Sequence, residues 1–366
     1  VSLLPPPPFA HLAAWPRWTR IALTLALAGL AALGCEALGT PLPWMIGPLL
    51  ATAGGSIAGA PLVSAAPLRK AGLWAIGTAL GLYFTPQVIA TVAGHAGVIV
   101  AGIAWALLMG TLYALFLLRA NRQIAGLDRA TAYFSAAVGG ASEMVTLAER
   151  HGGRVDLAAS AHSVRLLIVM LLIPFGFQLA GLQGVDAFVP GPREVHAGGL
   201  ALLVALTVAA ALALQHWRKP NPWVLGPLAA AAALTAAGIE LSALPRWMTN
   251  LGQLFIGVSL GIRFTPAFVR TAPRWLATTA LGTVAVIGAN AGFAAVLAHF
   301  SGLHAATVLL GTAPGGMAEM CITAKVLQLG VPIVTAFHIT RLIAILLLAA
   351  PLYRLWERLA RRGTAA

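Results

Sequence analysis

Pro43-Trp44-Met45-Ile46-Gly47-Pro48-Leu49 returns later in the chain as Pro222-Trp223-Val224-Leu225-Gly226-Pro227-Leu228. A second block, Gly81-Leu82-Tyr83-Phe84-Thr85-Pro86, returns as Gly261-Ile262-Arg263-Phe264-Thr265-Pro266. A third is spread more widely: Gly139-Gly140, Glu143, His162 and Arg165 return as Gly315-Gly316, Glu319, His338 and Arg341. Three blocks recurring in one order at offsets of 176 to 180 residues mark an internal duplication.

Working outward from these blocks, the surroundings are apolar. The chain of 366 residues is 59% hydrophobic and 9% charged, against roughly 25% charged in soluble domains, so lipid is its expected solvent. Ile21 to Leu38, Ala96 to Leu118, Ala197 to Leu214 and Ala277 to Leu297 approach or exceed the roughly 20 residues that a helix needs to cross a bilayer. Such long runs exclude a β-barrel, whose strands read as short alternating segments. The net charge of +13 does not indicate nucleic acid, because the basic residues sit in small groups beside helix ends, the pattern of cytoplasmic loops. Cys35 and Cys321 have no neighbouring ligand at metal spacing and read as small hydrophobes. The run after Arg17 and Arg20 ends in Ala32-Leu33-Gly34-Cys35, loosely like an export signal, but its counterpart at Ala197 to Leu214 makes it a retained helix.

Each half offers a long first helix, a second opening at Pro-Trp, a third carrying Phe-Thr-Pro, a long fourth, the Gly-Gly segment, and a last helix bearing His and Arg. Parity decides the architecture: six full crossings per half make the halves parallel, five make them inverted. With Arg165, Arg263 and Arg341 set aside as embedded, a five-span half with a re-entrant segment puts the large majority of Lys and Arg on one side. Arg17, Arg69, Arg119, Arg122, Arg129, Arg150 and Arg354 are among them; six full spans divide the charges more evenly, and the positive-inside bias chooses the former. The expected fold is therefore an all-α polytopic membrane protein with two inverted repeats. Each repeat has about five transmembrane helices plus a Gly-Gly-interrupted segment, re-entrant or broken. The organisation is a Pro-rich leader at 1–19 containing Pro5 to Pro8, repeats at 20–185 and 197–353, a connecting loop at 186–196 and a basic tail at 354–366.

The repeated polar residues are the candidate substrate and ion site. Adjacent glycines interrupt a helix, and backbone groups freed at membrane depth must face protein or water. Gly139, Gly140, Gly315 and Gly316 would supply such breaks. Glu143 and Glu319, three residues on, would start the following half-helix, where the positive dipole end favours a carboxylate; a Glu there could also take and release a proton. His162 with Arg165, and His338 with Arg341, are spaced to project from one helix face and could grip an oxyanion, histidine adding a link to protons. The alternative is a structural ion pair of each Arg with a Glu. Thr85, Pro86, Thr265 and Pro266 would end or kink the third helix of each half, and Arg263, where the first copy has Tyr83, would bias a cavity toward anions. No nucleotide loop, Gly-x-Ser-x-Gly elbow or His-Glu-x-x-His pair is present, so no catalytic residue, metal or cofactor is assigned.

Taken as a set, the Pro-Trp-Met-Ile-Gly-Pro-Leu block and its copy, the two Phe-Thr-Pro sites and the Gly-Gly, Glu, His, Arg series resemble the AbrB family of duplicated bacterial membrane proteins, from about Arg20 to Tyr353. The resemblance implies labels used for that family, regulator of gene expression or ammonia monooxygenase. More remotely, the plan is similar to the cation/proton antiporter and anion transporter superfamily. The residues lead to a secondary transporter of a small anionic or polar solute, proton-coupled through Glu143 and Glu319, in the bacterial inner membrane with both termini cytoplasmic. A membrane-bound regulator of gene expression without transport is the alternative, and a membrane oxidoreductase the third reading. The expected partners are a small solute, H+ and the lipid bilayer, not nucleic acid; a homo-oligomer is compatible with the sequence.

Overall fold

A chain that meets lipid must pair its own backbone N–H and C=O groups, and in the computed structural model the regular elements among the described residues are all helices. The described residues are 14–182, 184 and 194–362. The Pro5 to Pro8 run, most of the loop at 186–196 and the end of the basic tail lie outside them. The first half runs α1 Arg17–Ala37, α2 Pro43–Ile57, α3 Ala66–Gly81, α4 Pro86–Gly94, α5 Ala96–Ala120, α6 Arg129–Ala136, α7 Ala141–Arg150 and α8 Val155–Leu179. The second repeats this order as α9 Ala197–His216, α10 Pro222–Ala236, α11 Arg246–Gly261, α12 Pro266–Thr271, α13 Pro273–Ser301, α14 Ala305–Thr312, α15 Met317–Leu327 and α16 Val331–Arg362.

Six helices, α1, α5, α8, α9, α13 and α16, are long and apolar enough to cross a bilayer. A seventh span results if α3 and α4, bent by 87° across the Phe-Thr-Pro block, count as one. The remaining helices fall short on length: α2 and α10 have 15 residues each, a rise of about 23 Å at 1.5 Å per residue against a hydrocarbon core of roughly 30 Å. Both α2 and α10 open on the proline of the Pro-Trp block at their first position, where the missing N–H costs nothing. Thr265 caps α12, its hydroxyl accepting from Phe268 N at 3.2 Å.

The helices sort into two compact units, and each unit draws on both halves of the chain. The first comprises residues up to Pro86 and Pro190–Thr271; the second comprises Gln87–Val189 and the chain from Ala272 onward. In the first unit α2 packs on α11 and α3 on α10, so each half is closed by the other, while α1 packs on α2 and α9 on α10. Glycines sit at these crossings. A methyl group on Gly77 would stand 2.5 Å from Val224 O, on Gly81 2.5 Å from Leu228 O, and on Gly257 2.5 Å from Met45 O. Gly47 and Gly226 let α1 and α9 approach in the same way, against Ala31 and Ala211. Close backbone approach at small residues is how helices associate where no hydrophobic force distinguishes protein from lipid. Trp74 adds a hydrogen bond across the halves, Nε1 to Thr207 Oγ1 at 2.9 Å.

In the second unit α5 packs on α6 and α16, and α13 on α14 and α8. Its core gathers Tyr113, Phe134, Met144, Leu157, Trp275 and Ile345. The buried Trp275 indole donates to Leu157 O at 3.0 Å, joining the halves through a backbone carbonyl inside a span.

The crossings make a direct test. Gly77→Ala or Gly257→Ala is expected to destabilise by about 1–3 kcal/mol through overpacking against a carbonyl. Gly29→Ala, whose added methyl meets nothing within 4 Å, should be neutral or stabilise by up to ~1 kcal/mol through helix propensity. Thermal unfolding in detergent micelles reads the difference; equal behaviour of the three variants would contradict the packing.

Candidate functional site

Both helix breaks lie in the second unit. In the first half Asp128 caps α6 by accepting from Thr131 N, and the helix ends at Ala136. Ala137 and Gly140 take extended backbone, and α7 opens at Ala141. In the second half His304 fills the place of Asp128, Nδ1 accepting from Ala306 N. There α14 ends at Thr312, and α15 opens after Gly316. Such a break leaves bare carbonyls at the end of one half-helix and bare N–H groups at the start of the next.

The carbonyl ends are met from the last helix of the same half. Arg165 Nη1 donates to Ser135 O at 3.1 Å and Ala136 O at 3.2 Å, and Nη2 donates to Ala137 O at 3.2 Å and His162 Nδ1 at 2.7 Å. His162 Nε2 donates to Phe134 O at 3.0 Å. The second copy repeats the arrangement. Arg341 Nη1 donates to Ala313 O at 2.6 Å, and Nη2 to Gly315 O at 3.0 Å and His338 Nδ1 at 2.8 Å; His338 Nε2 donates to Leu310 O at 2.9 Å. A guanidinium can only donate, so each Nδ1 accepts and each Nε2 carries the proton: the network assigns both imidazoles to the neutral tautomer. Each positive guanidinium therefore faces the negative end of a half-helix dipole, and its partners are carbonyls and an imidazole rather than Glu143 or Glu319. All four side chains are buried, the two histidines 1% exposed.

The N–H ends are different. Neither Gly140 nor Gly316 has a side chain to cap its helix, and the acid in the first turn of each is Glu143 or Glu319. The Glu319 carboxylate lies against Gly316, where a Cβ would collide with Oε2, so it returns to the start of its own helix as the acid of a capping box does. Glu319 is buried and Glu143 half-buried. Each break packs on the last helix of the other half. A Cβ on Gly139 would stand 3.0 Å from Ile345, four residues after Arg341, and one on Gly315 2.9 Å from Val169, four residues after Arg165.

The second unit thus brings together Gly139, Gly140, Glu143, His162, Arg165, Gly315, Gly316, Glu319, His338 and Arg341. Arg263, half-buried after α11, and Thr85, Pro86, Thr265 and Pro266 belong to the first unit. Sequence reading overlooked α6 and α14, whose carbonyls are the partners of both dyads. A signal existed: Asp128 and His304 cap them at the same 176-residue offset as the glycines and acids. It also overlooked Ser135, whose Oγ, like Arg165 Nε, is buried without a partner among the described residues. Among the described residues no three of His, Cys, Asp and Glu form a metal-binding group, and both nitrogens of each buried imidazole already hold hydrogen bonds.

Six long apolar helices and two helix breaks, held by buried arginines, define a polytopic helical membrane protein with an embedded polar centre. The family model described as "Transition state regulatory protein AbrB" matches residues 44–357, and the chain belongs to the AbrB family. It is 24% identical over 339 residues to "Putative regulator AbrB" of Escherichia coli (strain K12), covering 92% of this chain and 96% of that protein. It is 25% identical over 248 residues to "Uncharacterized protein YhjN" of Bacillus subtilis (strain 168), covering 63% of this chain and 65% of that protein.

Arg341→Gln is expected to unfold the second unit more readily, since each buried acceptor left unpaired costs about 1–3 kcal/mol. Glu143→Gln, at a half-buried position, should stay within about 0.5 kcal/mol of the parent. Denaturation in micelles followed by near-ultraviolet circular dichroism measures both, and a tolerant Arg341→Gln would remove the structural role assigned to the dyads.

Proposed function

We propose that this protein is a secondary transporter of a small anionic solute, coupled to protons through Glu143 and Glu319. The observation that carries the reading is the pair of glycine-started half-helices α7 and α15, each with a carboxylate of its own in the first turn. A helix N-terminus attracts anions, and the ionised Glu competes with any other anion for that end. Protonation removes the competitor and leaves the helix dipole, with the nearby arginine charges, to bind a solute anion. Proton and anion then bind together and leave together. The buried, unpartnered Arg165 Nε and Ser135 Oγ beside the first break support a site that takes up a further polar group.

The same reading includes ten spans, halves related by an axis in the membrane plane, and a bacterial inner-membrane location with both termini cytoplasmic. The matched pairing of helices from the two halves in each unit supports that symmetry, and inverted repeats with interrupted helices are a common transporter plan. The name of the Escherichia coli relative favours a second reading, a membrane-bound protein that acts on gene expression without moving a solute.

Purified protein in micelles, screened by thermal shift against mono- and dicarboxylates, phosphate and sulfate, distinguishes the two. A stabilising anion is expected, acting more strongly at pH 5 than at pH 8, with the pH dependence lost in Glu143→Gln and Glu319→Gln. In proteoliposomes the same anion should drive proton uptake. Absence of any anion effect, or a pH dependence unchanged in both variants, would defeat the transport reading.

A further inference from the structure

The second unit carries a cleft that the proposed transport site does not use. Its volume is about 370 Å³, within the range of small-molecule sites. Arg119, Arg122 and Arg129 line it together with Leu115, Leu118 and Trp356. Leu115, Leu118, Arg119 and Arg122 recur every three or four residues along and just beyond α5, so they form one stripe. That stripe changes from aliphatic to cationic as the helix leaves its apolar span, which ends at Ala120. Trp356 stands near the end of another candidate span, Val331–Leu359, the depth at which Trp collects at membrane borders.

The three guanidinium groups have no carboxylate partner among the described residues, whereas Arg154 pairs with Asp156 at 2.6 Å. The nearest carboxylate in sequence, Asp128, is engaged in capping α6. Arg274 shows the contrast, since it closes the end of α5 by donating to Ala120 O at 2.9 and 3.2 Å. Arg119 and Arg122 are exposed, and Arg129 is half-buried. Three cations around one opening repel each other unless an anion joins them, and the planar fork of arginine suits phosphate oxygens.

We propose that this cleft binds the phosphate of an anionic phospholipid, with the headgroup held by Arg119, Arg122 and Arg129 and an acyl chain lying along Leu118 and Leu115. The continuity of the cationic mouth with an aliphatic wall favours a lipid over free phosphate, which has no use for the wall. Basic pockets between helices at the membrane surface take such headgroups.

The test is thermal unfolding of the full chain in dodecyl maltoside micelles, with palmitoyl-oleoyl phosphatidylglycerol, the matching phosphatidylcholine, or sodium phosphate added. A ligand of the folded state raises the unfolding temperature. Phosphatidylglycerol is expected to raise it in the parent and in an Arg17→Gln, Arg69→Gln, Arg358→Gln variant, which loses equal charge at exposed positions outside the cleft. The shift should vanish in Arg119→Gln, Arg122→Gln, Arg129→Gln. An equal shift in both triple variants, or an equal shift from phosphatidylcholine, overturns the proposal. A shift from sodium phosphate that phosphatidylglycerol does not exceed overturns the lipid assignment in favour of a free anion. If the cleft variant is not recovered folded, Leu118→Trp fills the cleft without changing charge, and persistence of the shift there overturns the proposal as well.

Discussion

A half-helix that stops inside an apolar protein leaves carbonyl groups that neither lipid nor bulk water can satisfy, and the centre of this protein is organised around meeting that demand twice. Arg165 and Arg341 reach the ends of α6 and α14, each steadied by a histidine three residues earlier that itself donates to a carbonyl one turn back. The buried charge is tolerable because it faces several oriented carbonyl dipoles at once. With the guanidinium groups held there, the glutamates are left to the opposite helix ends, where their charge state can matter.

The same geometry explains why neither half forms a unit alone. Each Gly-Gly break rests on the last helix of the other half, Gly139 on Ile345 and Gly315 on Val169, and in the first unit Gly77 and Gly81 lie on α10 while Gly257 lies on α2. Gly77, Gly81 and Gly257 are points where backbones from different halves touch. A repeat of the sequence is therefore not a repeat of the compact unit, since each unit takes helices from both copies.

The division of labour within the polar centre separates what holds the fold from what can respond to a proton. Arginine remains charged under ordinary conditions, and the neutral histidines are locked at both nitrogens, so the dyads form a fixed electrostatic frame. Glu143 is half-buried and Glu319 buried at the equivalent position, so the two copies of the acid meet different surroundings. The copies share the chemistry while their surroundings differ, as their residues also do where Tyr83 stands opposite Arg263 and Asp128 opposite His304.

The membrane class and the recurrence of the motifs were legible in the chain, because hydrophobic run length and motif recurrence are local properties that survive without knowledge of packing. Pro43 and Pro222 announced helix starts, and Gly139-Gly140 and Gly315-Gly316 announced breaks, for reasons of backbone chemistry alone. What the sequence left open was the partner of each arginine. A carboxylate twenty-two residues away and a carbonyl of an unseen short helix satisfy the same charge argument, and carbonyls carry no side-chain signature to read. Only the tertiary structure decided that the dyads cap α6 and α14, that each break rests on the last helix of the other half, and that the halves interleave, because those outcomes depend on which backbones can approach closely in three dimensions.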